Sequence, residues 1–185
     1  MKPLITIVAL AGKAGAGKDT ILRYLCDNYD VHEIVSCTTR PMREGEVDGV
    51  NYHFITPEQF AEKVLRFEML EATEFNGWFY GTDIAALSAD KINIGVFNPA
   101  GIEALRENPQ LHIIPLLVET SDKARLMRQL TREENPNVHE IIRRFKTDEE
   151  DFEDIENYGL VQNDDEMFPQ NAETLASLLN LGKVK

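Results

Sequence analysis

The sequence predicts an α/β fold of three layers, a parallel sheet with helices on both faces, and three observations lead there. Leu4-Ile5-Thr6-Ile7-Val8-Ala9-Leu10 is an almost unbroken apolar run, the pattern of a strand buried on both sides. It passes directly into Gly12-Lys13-Ala14-Gly15-Ala16-Gly17-Lys18, a G-x-x-x-x-G-K sequence at the strand-to-helix junction where such a loop cradles phosphates. Beyond it, strand-like and helix-like segments alternate to the end of the chain.

Asp19 to Asn28 sets Ile21, Leu22, Leu25 and Cys26 on one helical face, and Val31 to Cys37 reads as the next strand. From Thr38 to Ala86 the pattern changes to short strands and turns. Tyr52-His53-Phe54-Ile55 comes first, then a helix opened by Thr56-Pro57-Glu58-Gln59 in capping-box form, then Phe67 to Thr73, and the segment ends at Trp78-Phe79-Tyr80. Phe60, Val64 and Leu65 are expected to pack on this small sheet. Residues 38–86 thus read as an insertion into a core of residues 1–37 and 87–185, the whole forming a single domain. Ile92 to Phe97 and Leu111 to Val118 are further strands, with a helix over Gly101 to Glu107 that stops before Pro109. A polar helix from Asp122 to Arg132 runs into Glu133-Glu134-Asn135-Pro136-Asn137, and a second charged helix begins near Val138, so residues 131–143 read as a lid. The chain closes with the strand Gly159 to Gln162, a turn at Asn163-Asp164-Asp165, and a helix whose apolar face carries Leu175, Leu178, Leu179 and Leu181.

Composition narrows the partners. The net charge of −13, from 19 Lys and Arg against 32 Asp and Glu, would repel nucleic acid over most of the surface. An acidic protein that binds anionic substrates has to gather its arginines in one cleft. The only cysteines are Cys26 and Cys37, and His32, His53, His112 and His139 lack metal-ligand spacing. No apolar run reaches membrane-spanning length, and the N-terminal stretch lacks a signal pattern. A cytoplasmic monomer or homodimer with reduced thiols is expected, touching neither membrane nor nucleic acid.

The loop's chemistry is specific. Backbone N–H groups across Gly12, Lys13, Ala14, Gly15, Ala16, Gly17, Lys18, Asp19 and Thr20 can point at the polyphosphate of ATP, the helix N-terminus adds positive potential, and Lys18 reaches the outer phosphates. Asp19 stands where the motif usually places a magnesium-binding Ser or Thr, with Thr20 one step later. A carboxylate is a hard donor able to hold Mg²⁺ directly or through water, so Asp19 and Thr20 are the candidate metal ligands. Elsewhere, Arg40 and Arg43 lie three apart in a proline-containing loop, where two guanidinium forks can clamp one phosphate, and Tyr52 and Tyr80 offer hydroxyl donors. Glu71, in an apolar stretch, can accept hydrogen bonds from N1–H and the exocyclic amine of guanine, a pattern adenine does not present.

The run from Ser36 to Phe54, with its Thr38-Thr39-Arg40-Pro41 core, resembles the GMP-binding region of guanylate kinases almost residue for residue. Glu68-Met69-Leu70-Glu71-Ala72 with Asn76-Gly77-Trp78-Phe79-Tyr80-Gly81-Thr82 is similar to the family's next block, and with the loop, the lid and the Val161-Gln162-Asn163-Asp164 turn the resemblance covers nearly the whole chain. It implies the P-loop NTPase fold with an inserted NMP-binding subdomain and a lid. It also implies direct in-line transfer of the γ-phosphoryl group of ATP, with Mg²⁺, to GMP or dGMP. By this resemblance Arg40, Arg43, Tyr52 and Tyr80 hold the acceptor phosphate, and Glu71, Ser36 and Thr82 read the guanine. Glu46 belongs beside them, its expected role the orientation of Arg43. Arg128, Arg132 and Arg144 match arginines that close over the transferring group, and Arg128 belongs to the donor site. One extra residue lies between Arg132 and Arg144, so Arg143 replaces Arg144 if the register slips. Asn163 is assigned to the donor adenine or ribose, and Lys18, Arg43, Arg132 and Arg144 form the implied catalytic set.

One match fails. The family usually ends the strand before the Gly101 helix with two acidic residues, where this chain has Val96-Phe97-Asn98-Pro99. Asn98 is expected to keep a hydrogen bond to the base, and Asp19 to restore the missing charge from across the cleft. Two alternatives stay open: a kinase of the same fold acting on another deoxynucleoside monophosphate or a ribose bisphosphate, and a non-catalytic module that binds phosphopeptides through the same clamp.

Overall fold

The computed structural model describes residues 4–75, 77–132, 134–153 and 155–184. Asn76 of the second family-like block and Glu133 of the lid loop lie outside the described residues. The core sheet is all parallel, in the order β2 (Val31–Glu33), β7 (Ile92–Val96), β1 (Ile5–Ala11), β8 (Leu111–Glu119), β9 (Gly159–Gln162). β1 is the central strand, and its alternate residues explain its unbroken apolar sequence. Val8 and Leu10 face a cluster with Ile21, Leu22 and Leu25 of α1 (Lys18–Asn28) and Leu175 of α6 (Gln170–Leu178). Ile7, Ala9 and Ala11 face a second cluster with Ile102 and Leu105 of α3 (Pro99–Arg106). Each fully buried aliphatic side chain there contributes about 2 kcal/mol of transfer free energy, which is why neither face of β1 admits a charge.

A second sheet, ordered β4 (His53–Phe54), β3 (Cys37–Thr38), β6 (Trp78–Asp83), β5 (Met69–Phe75), carries α2 (Pro57–Leu65). Thr56 closes the expected capping box with Gln59 in both directions. Phe60 is buried beneath the sheet and stacks on Phe79 at 5.5 Å, but Val64 and Leu65 do not join it: Leu65 is 78% exposed. The expected strand from Val31 to Cys37 is two strands in different sheets. The Ile34 N–H still bonds the core strand at Ile94 O, whereas the Ser36 carbonyl already accepts from His53 of the second sheet, so residues 34–36 carry the chain across. In α6 the leucine face is narrower than expected, since Leu175 is buried and Leu178 points to water. α4 (Asp122–Thr131), capped by Ser121, and α5 (Val138–Asp151), capped by Asn137, flank residues 132–137. Among the described residues no helix is long and apolar enough to cross a membrane.

Candidate active site

The phosphate loop lies between β1 and α1 and is fixed from behind. Gly17 has φ 93°, and a Cβ there would sit 2.3 Å from Asn163 Nδ2, so the backbone turns at this point with no room for a side chain. Lys18 Nζ donates to Gly12 O at 2.6 Å, and burial lowers its pKa, the state of a cation whose anionic partner would relieve its desolvation. Gly12, Ala14, Gly15, Gly17, Lys18, Asp19 and Thr20 line the cleft in front of the loop, whereas Lys13 and Ala16 do not. Asn163 takes a different place from the expected contact with the donor base. It is buried, donating through Nδ2 to Ala16 O at 2.7 Å and accepting at Oδ1 from Asn171 of α6 at 2.8 Å, so its amide braces the loop from α6. Arg128 acts from the same side, donating to the carbonyls of Gly15 and Ala16 and to Asp165, with part of its side chain on the cleft wall.

Across the cleft, Arg40 and Arg43 differ in state. Arg40 is buried against the Tyr52 and Phe54 rings, and a bidentate pair with Glu46, 2.9 Å at both oxygens, and a bond to Pro41 O occupy three of its five N–H donors. Glu46 therefore differs from expectation. Its carboxylate orients Arg40 and reaches Arg43 only through that residue's backbone N–H, at 2.7 Å. The Arg43 guanidinium has no hydrogen-bonding partner among the described residues. Burial, then the neighbouring charges of Arg40 and Arg144, bring its pKa down to about 10. A phosphate between these guanidiniums would reverse that penalty. Tyr52 and Tyr80 pack edge to face at 5.9 Å on the same wall, and burial holds the Tyr52 phenol protonated as a donor.

Glu71, in β5, is a buried acidic group, 7% exposed. Desolvation pushes its pKa up to about 7, against the pull of the Thr82 hydroxyl, which donates to Oε1 at 2.9 Å. Thr82 in turn meets Ser36 Oγ at 3.1 Å. Thr82 is fully buried and off the cleft wall, so it steadies Glu71 instead of facing a base; Ser36 and Glu71 do face the cleft. A methyl group on Gly101 would lie 3.4 Å from Glu71 Oε2, which puts the carboxylate beside the first turn of α3. Asn98 also lines the cleft, but as the N-cap of α3: its Oδ1 accepts from Gly101 N at 2.7 Å and its Nδ2 donates to Thr73 at 3.0 Å, leaving one N–H for a ligand.

Both walls belong to one cleft of about 1020 Å³, lined by Lys18, Arg40, Arg43 and Glu71 and also by Arg132, Arg143 and Arg144 from the α4–α5 side. A family profile described as guanylate kinase matches residues 2–180. The chain belongs to the guanylate kinase family. The guanylate kinase of Campylobacter jejuni (strain RM1221) is 27% identical over 179 residues, spanning 94% of this chain and 87% of its own length. That of Helicobacter hepaticus (strain ATCC 51449 / 3B1) is 31% identical over 165 residues, 86% and 82% of the two chains. The crystal structure of guanylate kinase from Anaplasma phagocytophilum shares the fold, with TM-score 0.74 at 22% identity over 97% of this chain and 86% of that one.

Three groups in or behind this guanylate kinase-family cleft escape a reading by motif. Glu140 accepts from Arg143 at 2.7 and 2.9 Å and from Arg144 at 2.9 Å, and these bonds bring its carboxyl pKa down to about 2. It pre-aligns both arginines one helical turn away, a spacing visible in the sequence. Arg125 and Asp148 form a buried ion pair at 2.5 Å against the phosphate loop. Nothing in a single sequence pairs residues 23 positions apart on two helices.

Proposed function

We propose that this chain transfers the γ-phosphoryl group of ATP directly to GMP or dGMP, giving ADP and GDP or dGDP. The observation that carries the reading is the sharing of one cleft by Lys18 and the phosphate loop with Arg43 and Glu71. In this reading the loop and Lys18 hold the donor phosphates, and Arg40, Arg43, Tyr52 and Tyr80 the acceptor phosphate. Glu71 accepts from the guanine edge. Arg132 and Arg144, with Arg143 beside it, surround the equatorial oxygens of the transferring group as charge spreads over them. Water is excluded when the two walls approach.

Among the described residues no cluster of three or more His, Cys, Asp or Glu could hold a metal alone. The Asp19 carboxylate, exposed on the cleft wall with no side-chain hydrogen bond or ion pair among the described residues, and the Thr20 hydroxyl beside it would suit an Mg²⁺ that keeps most of its waters. When bound, such an ion neutralises charge on the donor phosphates. We place the enzyme in the cytoplasm, a setting that fits its two free thiols.

The test is product analysis with ATP, Mg²⁺ and, separately, GMP, dGMP, AMP, dTMP and ribose bisphosphate. GDP and dGDP should form and the others should not. Equal use of all acceptors would remove Glu71 as selector, and GMP binding without any ATP binding would point to a phosphopeptide module.

A further inference from the structure

Ala14 stands in the middle of the phosphate loop, and side chains from outside the loop hold both polar groups of its backbone. Its N–H donates to Asp148 Oδ2 at 2.8 Å, and its carbonyl accepts from Arg125 Nε at 3.0 Å and from Gln129 Nε2 at 3.3 Å. Arg125 is fixed on every side. It donates to Asp148 at 2.5 Å and to Asp122 at 2.7 Å, and it lies 4.3 Å from the centre of the Phe145 ring. Arg125 is 3% exposed and Asp148 5%. Desolvating two charges makes such a pair no better for packing than apolar side chains of similar volume, so packing alone does not account for it. What distinguishes it is what it touches: one residue of the phosphate loop, and the two helices α4 and α5 that flank the lid connection.

We propose that Arg125 and Asp148 are positioning residues for the phosphoryl donor. By fixing the N–H and C=O of Ala14 they set the loop's binding shape and tie it to the helices bearing Arg128, Arg143 and Arg144. Neither residue touches the reacting atoms. Because the pair is neutral as a unit, the Asp148 carboxylate on the cleft wall does not repel an arriving polyphosphate. The proposal rests on the reading above that this loop binds ATP, and it makes donor affinity, but not acceptor affinity, depend on the pair.

The experiment is the double variant Arg125→Met/Asp148→Ala, which leaves no buried charge unpaired. Its thermal midpoint, its ATP affinity by titration calorimetry and its KM for GMP are measured against the unaltered protein. The midpoint should hold, ATP affinity should fall about tenfold or more, and the KM for GMP should stay the same. Unchanged ATP affinity in the folded variant overturns the proposal, as does an equal loss for both nucleotides, the mark of general loosening. Should the double variant not fold, Arg125→Lys keeps a charge beside Asp148 but loses the fork that reaches the Ala14 carbonyl. ATP affinity must then fall about threefold or more with the GMP value held, and no change overturns the proposal. An unaltered protein that binds ATP without phosphorylating GMP would defeat the kinase reading while leaving this one standing.

Discussion

Glu71 has its pKa raised from 4.5 to about 7, chiefly by desolvation, so the folded protein holds the proton more tightly than the unfolded chain does. The associated stability is fully present below the unfolded value and is lost as pH rises through about 7. Guanine, donating two hydrogen bonds, favours the ionised form, so GMP affinity should rise with pH up to about 7 and then level. The GMP phosphate also titrates, and the comparison with Glu71→Gln isolates the residue. The pH-dependent part of the difference between the two proteins should approach tenfold per unit below about pH 7. Calorimetric titrations giving parallel profiles for both would contradict this.

Arg43→Ala should raise the KM for GMP by about 10- to 100-fold and lower kcat, while the thermal midpoint holds or rises, because its charge is now buried beside Arg40 and Arg144. A fall in the midpoint with an unchanged KM would remove it from the clamp. At this scale the sequence is readable where residue type alone marks a group that ends up on the cleft wall. A carboxylate in an apolar strand and two arginines beside a proline are such cases. It is not readable where an amide or hydroxyl has a choice of partners: Asn98 caps a helix, Asn163 braces the loop and Thr82 holds Glu71, and packing made each choice.

The elements follow the same division. The capping box at Thr56 is written locally and forms as read, so Thr56→Ala should lower stability by about 1 kcal/mol in denaturant titration. No change would mean that α2 is held by Phe60 alone. The break between β2 and β3 is not local. Val31 to Cys37 has one continuous strand-like pattern, and only the competing partners, Ile94 in one sheet and His53 in the other, decide where it divides. Likewise Leu65 and Leu178 fit an apolar stripe yet face water, each as the last residue of its helix.

The whole molecule is acidic, with net charge −13, yet it gathers Arg40, Arg43, Arg132, Arg143 and Arg144 around one cleft. Most of them are paired with Glu46 or Glu140, but the Arg43 guanidinium faces the charges of Arg40 and Arg144, and that repulsion opposes approach of the walls until anions lie between them. Closure should therefore need both nucleotides: small-angle scattering should show a smaller radius of gyration with ADP and GMP together than with either alone, and an unchanged radius would refute closure. The parallel core was legible at this scale, because unbroken apolar runs occur where both faces of a strand are covered. The tie between the loop and two distant helices was not, since it depends on a pair that meets only after folding.

The most direct test of two facing anion-binding sites is the affinity of a compound joining adenosine and guanosine through five phosphates. It should bind at least about 100-fold more tightly than ATP or GMP alone, and a single molecule should displace both, because the second site is filled without a new loss of translational freedom. Binding no tighter than the better single nucleotide, with the other still able to bind, would show that the two sites do not face each other.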